Sequence, residues 1–331
     1  MTLCDSIKLG TMTLTPPVVL APLAGITDLP FRQLVSRFGS GWVVSEMVAS
    51  QEMVQAKPAA RDKAELGYDQ AGTAVQLAGR EAFWMAEAAK MVADNGAQII
   101  DINMGCPAKK VTSGFSGSAL LRDPDHALSL IEAVVDAVDV PVTLKTRLGW
   151  DTDCLNAAHV AKRAEDAGVQ LVTIHGRTRC QFYKGAADWV AIGEIKQAVN
   201  IPVIANGDIV DATTARTALK QSGADGVMIG RGAQGRPWIL AQVAHALHGT
   251  PAPDIPKGSA LVDLVCEHYE AMLAFYGAKM GNRVARKHLG WFMVDADTPE
   301  ALRKIVFTES DPRKVLKQLP EALATHQAAV A

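Results

Sequence analysis

The chain lacks the marks of a disulfide scaffold. Its five cysteines, Cys4, Cys106, Cys154, Cys180 and Cys266, are odd in number, far apart and never in a C-x-x-C pair. That spacing argues against a disulfide framework or a zinc ribbon and implies a reducing, cytoplasmic compartment with no structural metal. Long apolar runs are also missing: nothing approaches the roughly 18 residues of a membrane span. The opening MTLCDSIKLG carries Asp5 and no apolar core, unlike a secretory leader. Nor does one charge dominate. Lys and Arg number 33 against 35 Asp and Glu, a net −2, which excludes a wholly basic nucleic-acid protein but allows a basic patch on a neutral body. Low-complexity tracts and short-period repeats are absent.

What is present is a globular composition, 49% apolar and 21% charged over 331 residues. Short β-branched runs alternate with longer Ala-rich stretches. The runs are 18–21, 42–46, 74–77, 99–103, 142–145, 171–175, 202–206 and 226–230. Between them, the stretch at 80–96 ends in Asn95-Gly96, a helix stop, and another starts after Asp123-Pro124, a helix start. Strand, helix and strand in succession imply parallel pairing through right-handed crossovers. Eight such units fit a closed (β/α)8 barrel better than an open doubly wound sheet. Ahead of it, IKLG-TMTL reads as a hairpin capping the barrel floor. The last barrel helix falls within GRPWILAQVAHALHG, and 249–258, with Pro251, Pro253 and Pro256, reads as a linker. The expected organisation is a barrel over 1–248, that linker, and a small all-α domain over 259–331.

Side-chain alternation places Gln76, Asp101, Asn103, Lys145, Arg147, Thr173 and His175 on the faces of their strands opposite Val75, Ile100, Ile102, Leu144, Val172 and Ile174. The polar set would point into the barrel or its mouth. Several strands end in a chemically capable side chain (Glu46, Gln76, Asn103, Lys145, His175, Asn206), and strand C-termini are where barrel enzymes keep their active sites.

GRGAQG, 230–235, has the form of a dinucleotide fingerprint, but the chain runs on into the Pro-rich linker instead of a second strand ending in an acid. In a barrel, the loops after strands seven and eight make a phosphate site. Asn206-Gly207-Asp208 and Gly230-Arg231-Gly232 occupy those places, with Arg231 to neutralise an anion; tight turns without a ligand are the alternative. One phosphate there suits a flavin mononucleotide or a sugar phosphate. Cys106, in NMGCP, would sit on a rigid turn at the mouth. With a reference pKa of about 8.5 the thiol can serve as a general acid, or be an inert buried cysteine. Lys145 could stabilise an anionic reduced ring or snorkel at the rim. His175, Arg177 and Arg179 suit a polyanion, or form a solvated loop. In KMGNRVARKHLGW, 279–291, Lys279, Arg283, Arg286 and Lys287 occur without one acid, either a solvated helix face or a nucleic-acid contact.

APLAGITDLPFR, VSEM, VQLAG, DINMGCPAKKV, LKTRLGW, TIHGRTR, ANGDI, GRGAQGRPW and RVARKH together resemble the bacterial tRNA-dihydrouridine synthases, most of all their B branch, which includes proteins once named for nitrogen regulation. The departure is Leu23, where the family often has methionine. The resemblance implies an FMN barrel joined to a helical tRNA-binding domain. In it NADPH, or NADH, reduces the flavin, which passes a hydride to C6 of a D-loop uridine, at position 17 for the B branch. It implies Pro22, Leu23 and Ala24 lining the flavin through backbone contacts, Gln76 at its pyrimidine edge, Lys145 at N1 and O2, and Cys106 protonating C5 of the uracil. Asn206, Gly207, Asp208, Gly230 and Arg231 would hold the phosphate. Asn103, Arg147, His175 and Arg177 would face the target base and its backbone, His175 touching the flavin as well. Two other readings differ in kind: an FMN barrel acting on a free pyrimidine, like dihydroorotate dehydrogenase, and a non-catalytic RNA-binding protein that keeps only the scaffold.

Overall fold

The punctuation of the sequence acts where it stands. Asp123 accepts a hydrogen bond from the His126 amide at 3.1 Å with Pro124 as the first helical residue, and Asn95 caps the helix that ends before Gly96. The computed structural model describes residues 4–39, 41–66 and 73–324. A hairpin of β1 (Ile7–Leu9) and β2 (Met12–Leu14) comes first. The chain continues through β3 (Val18–Leu20), α1 (Leu29–Ser36), β4 (Val43–Val44), β5 (Val48–Ala49), α2 (Ser50–Val54), α3 (Pro58–Ala64), β6 (Thr73–Ala78), α4 (Ala82–Asp94) and β7 (Ile99–Met104). Next are α5 (Lys109–Thr112), a 3-10 turn at Gly117–Arg122, α6 (Pro124–Val135), β8 (Val142–Arg147), α7 (Ala157–Asp166), β9 (Leu171–His175), α8 (Trp189–Ala198), β10 (Val203–Asn206), α9 (Ala212–Ser222) and β11 (Gly226–Ile229). A second 3-10 turn, Arg231–Ala233, leads to α10 (Ile239–His248).

Every pairing from β3 round to β11 is parallel, and β11 pairs β3 while β4 pairs β6, so the sheet closes into a barrel. The second barrel strand is interrupted: 42–46 was read as one run, whereas β4 stops at Val44 and β5 begins at Val48. Ser45 explains the break. Its amide donates to Ala74 O at 2.9 Å, while its hydroxyl accepts the Gln76 amide at 3.0 Å in place of a backbone carbonyl. Outward-facing Val75, Leu77, Ile100, Ile102, Leu144, Val172 and Ile174 are buried with the helices in one large core. Truncating one of these leucines to alanine costs about 2–5 kcal/mol. A second cluster joins Ile7, Leu9 and Leu14 of the hairpin to Val19, Val44, Ala74, Ile99, Leu171, Ile204 and Met228, so the hairpin plugs the floor.

Residues 249–257 carry no regular structure, and α11 (Ser259–Tyr276), α12 (Ala278–Asp295), α13 (Glu300–Thr308) and α14 (Pro312–Leu323) follow; 325–331 lie outside the described residues. These helices lie against α1 and the barrel mouth. Tyr276 OH donates to Asp28 Oδ2 at 3.0 Å, and the Phe31 ring sits 5.8 and 5.0 Å from those of His268 and His288. Gly235, at φ +73, admits α12, since a Cβ there would meet Trp291 at 3.0 Å. Among the described residues no helix is long and apolar enough to cross a membrane.

Candidate active site

Strand register brings the inward polar side chains into facing pairs: Gln76 beside Asp101, Asn103 beside Lys145, Arg147 beside His175 and Asn206 beside His175. Above them the strand C-termini open on a cavity of ≈ 700 Å3. Pro22, Leu23, Ala24, Gln76, Asn103, Cys106, Lys145, Arg147, His175, Asn206, Gly207, Asp208, Gly230 and Arg231 all line it.

A polar relay runs from the barrel interior to the cysteine. Thr143 and Gln76 donate to the two oxygens of Asp101 at 2.6 and 2.7 Å. Asn103 donates to Gln76 Oε1 at 2.6 Å, and the Cys106 amide donates to Asn103 Oδ1 at 3.0 Å. Burial raises the Asp101 pKa, against the lowering effect of Thr143, Gln76 and Lys145. Gln76 keeps one N–H and one lone pair for a ligand. The Cys106 carbonyl accepts from Ser118 N and Oγ at 3.1 and 2.9 Å. This clasp needs glycine at 117, φ +61, where a Cβ would stand 2.8 Å from that carbonyl.

Lys145 donates to Asn206 Oδ1 at 3.1 Å, and Asn206 Nδ2 donates to Met228 O at 2.8 Å. Burial, then repulsion from Arg147, lowers the lysine to about 8. Burial and the cations Lys145, Arg147, Arg177 and Arg231 hold His175 down at about 2, so it is a neutral imidazole that both donates and accepts. Arg147 gives Nε to Gly105 O at 2.7 Å and Nη1 to Thr178 O and Phe182 O at 2.9 Å. Its Nη2 has no acceptor among the described residues and is left for a ligand in the cavity it lines.

The loops after β10 and β11 have donors to spare. Among the described residues the amides of Asp208, Arg231 and Gly232 find no acceptor, and Arg231 extends over the cavity with a half-exposed side chain. Glycine-lined loops with unpaired amides and a cation have the chemistry of a phosphate cradle.

A family model described as dihydrouridine synthase matches residues 19–328. The chain is 63% identical over 326 residues to a "Probable tRNA-dihydrouridine synthase" of Rhodobacter capsulatus, covering 98% of this chain and 100% of that one. Against the "tRNA-dihydrouridine synthase B" of Vibrio vulnificus it is 47% identical over 298 residues, 90% of this chain and 92% of the other. This chain belongs to the dihydrouridine synthase family. A solved structure titled as histamine dehydrogenase from Rhizobium sp. 4-9 superposes with a TM-score of 0.58 at 13% identity, covering 81% of this chain and 50% of that one, a likeness of fold. As a dihydrouridine synthase the chain is a flavin-dependent oxidoreductase, and the free amides, Arg231, Gln76 and Lys145 fit such a cofactor.

Several expectations change in this dihydrouridine synthase. Arg177 is buried and fully occupied: Nε donates to Lys184 O at 3.1 Å, Nη1 and Nη2 clasp Asp208 at 3.0 and 2.6 Å, and their remaining hydrogens face His175 Nε2 at 3.5 Å and Gly185 O at 2.5 Å. It therefore buttresses the loop after β10 and has no donor left for a nucleic acid. Asp208, at φ +54, also accepts from the Ala187 amide at 2.8 Å and Arg231 at 3.1 Å. A carboxylate repels phosphate, so this residue can serve one only through its amide and by aiming Arg231. The Asn206 side chain is committed to Lys145 and Met228, not to a phosphate. Leu23 gives its N–H to Thr27 Oγ1 at 2.8 Å, so that amide is not on offer to a flavin. On α12, Lys279 and Arg283 are exposed, whereas Arg286 is half-buried and Lys287 donates to Gly25 O at 3.3 Å, beside the cavity loop.

Tyr183, absent from the sequence-derived set, lines the cavity with its ring under two guanidinium carbons, Arg147 at 5.6 Å and Arg231 at 5.3 Å. Its only signal was an aromatic beside arginines in an irregular loop. Glu46 is buried in the gap between β4 and β5 and accepts the Gly25 amide, fixing the turn after Pro22–Ala24.

Proposed function

We propose that this chain is a tRNA-dihydrouridine synthase that binds FMN, takes its reducing equivalents from NADPH (NADH being the alternative donor) and reduces a D-loop uridine, position 17, in the cytoplasm. The observation that carries the reading is the convergence of Lys145, Gln76 and Cys106 on one cavity whose far wall offers Arg231 and unpaired amides. The names of the relatives supply the tRNA. FMN, when bound, supplies the hydride for C6 of the uracil. The protein's own part is to hold and to protonate. Arg231 and the amides of Asp208, Arg231 and Gly232 would grip the phosphate, with Gln76 and Lys145 at the ring's polar edge. Charge at Lys145, fixed by Asn206, favours an electron-rich partner. Asn103, the Nη2 of Arg147 and neutral His175 would orient the uracil. Cys106, held by Asn103 and Ser118, gives the S–H proton to C5, and the thiolate recovers a proton from solvent. The target base has to leave its stack to enter, which is base flipping.

In this reading the barrel over 1–248 does the chemistry and the helices over 259–331 hold the RNA through exposed Lys279 and Arg283. A free pyrimidine would need no such appendage at the mouth, and a scaffold without catalysis would not need the Cys106 clasp. The test is to purify the protein, identify the flavin it releases, and offer the NADPH-reduced protein unmodified tRNA and free uridine. Dihydrouridine in the tRNA alone is the expected result. A protein that takes up no flavin, or one that reduces only the free pyrimidine, would overturn the proposal.

A further inference from the structure

Two phenylalanines beside the cavity are where folding energetics would not put them. Phe115 and Phe182 are 42% and 44% exposed, and both have left-handed backbone, φ +60 and +57. A bulky residue gains nothing from such a conformation, and an exposed ring gains little from burial. They stand on one rim. Arg179 Nη2 donates to Thr112 Oγ1 at 3.3 Å, the Phe115 amide donates to Thr112 O at 3.2 Å, and the Phe182 amide donates to Arg179 O at 3.0 Å. The Phe182 ring meets Tyr183 edge-on, with centroids 4.8 Å apart, and Tyr183 lines the cavity. Arg179 in turn lies over Trp150, 4.7 Å from its centroid, with Arg122 at 5.0 Å from the same ring.

The charge of these loops is one-sided. Residues 105–117 and 176–187 contain Lys109, Lys110, Arg177, Arg179 and Lys184 and not one Asp or Glu, in a chain with 35 acids. Among the described residues, Arg177 alone of those cations has an acidic partner, Asp208. Exposed aromatic faces set among unopposed cations are the surface that single-stranded nucleic acid selects: bases stack and phosphates find charge.

We infer that Phe115 and Phe182 are stacking platforms for the nucleotides flanking the uridine drawn into the cavity, with Arg179, Lys109, Lys110 and Lys184 meeting their phosphates. This rests on the tRNA reading above and extends it from the target base to its neighbours. On this reading the two exposed rings, and the left-handed backbone that carries them, are kept for RNA.

The test uses the flavin-loaded enzyme with Phe115→Gly, Phe182→Gly and the corresponding leucine variants, together with unmodified tRNA transcripts. Glycine relieves the left-handed backbone, so thermal midpoints should stay level or rise, while each variant weakens tRNA binding roughly five- to hundredfold. Leucine keeps bulk and apolarity but has no π-face, and the same loss is expected from it. NADPH-driven flavin reduction should not change. On a transcript with abasic sites flanking the target, wild type and variants should bind alike. Unaltered affinity in the glycine variants, full affinity in the leucine variants, or a loss that persists on the abasic transcript would overturn the inference while the wild type still reduces tRNA. A wild type that neither binds nor reduces tRNA would overturn the proposed function itself.

Discussion

Replacing Asp208 by Asn isolates the junction on which the loop after β10 depends. The carboxylate accepts both terminal nitrogens of Arg177, the Ala187 amide and Arg231. Arg177's side chain is 2% exposed and Asp208's 29%. Breaking a fully buried pair costs about 3–5 kcal/mol. Three features reduce that here: Asp208 is partly solvated, Asn keeps one acceptor oxygen, and the Lys184 and Gly185 carbonyls still hold Arg177. About 2 kcal/mol is the expected loss, which for a chain of this size lowers the melting midpoint by roughly 4 °C. Flavin retention should weaken in parallel, because Arg231 loses the partner that aims it. Arg177→Met and the double variant complete a cycle, and the double should be milder than the sum of the singles by about 1–2 kcal/mol. The sign with pH is fixed. Burial raises the Asp208 pKa, but hydrogen bonds from Arg177 and the Ala187 amide and the charges of Arg177 and Arg231 together hold it below the ordinary 3.8. Its contribution is present above 3.8 and lost as pH falls through the folded value. The difference in denaturant midpoint between wild type and Asn should therefore be full at pH 7 and shrink progressively as pH is taken below 3.8 towards the folded value. Midpoints within about 0.5 kcal/mol at pH 7 would show that the carbonyls alone hold Arg177, refuting the junction.

His268 and His288 pack ring to ring at 4.8 Å, and among the described residues His268 Nε2 and both His288 ring nitrogens find no hydrogen-bond partner. Burial lowers His268 to about 3, and burial, His268 and Lys287 push His288 well below 6.5. The unfolded chain therefore binds protons that the folded one refuses, and stability should fall as pH drops below 6.5. Asp28, raised to about 6 chiefly by burial, acts in the opposite direction, so the readout is a difference. His288→Phe should flatten the loss in urea midpoint between pH 7 and 5, and an unchanged slope would count against a buried neutral pair. Lys279→Ala with Arg283→Ala should weaken tRNA binding and reduce its logarithmic salt slope by up to about two. Flavin reduction should stay intact, and an unaltered slope would return that helix face to solvent.

The barrel was legible because its signals are local. Alternation in IIDIN and VTLKTR put Asp101, Asn103, Lys145 and Arg147 inside, and the register pairs Asn103 with Lys145. The break in the second strand was not legible, since WVVSE is apolar enough to continue and only the Ser45 hydroxyl, bonding across to Gln76, stops it. Within the candidate site, the residues named at strand ends line the cavity, whereas contacts made by partners distant in sequence were not legible. Arg177 looks like a polyanion ligand until Asp208, 31 residues on, takes its charge. Lys287 stays exposed in the basic stripe, and the sequence could not show that it also reaches the Gly25 carbonyl from the other end of the chain. Tyr183 sits in a loop without periodicity, where only the fold could show arginines on its ring.

Cys106→Ala in separated half-reactions tests the central claim most directly. The flavin-loaded enzyme is reduced with NADPH, then mixed with unmodified tRNA, while flavin reoxidation and dihydrouridine formation are followed together. Reduction by NADPH should match wild type, and the step with tRNA should slow by roughly 10²–10⁴, the usual worth of a positioned general acid. Wild-type rates in that second step would contradict the account and take the proton for C5 away from Cys106.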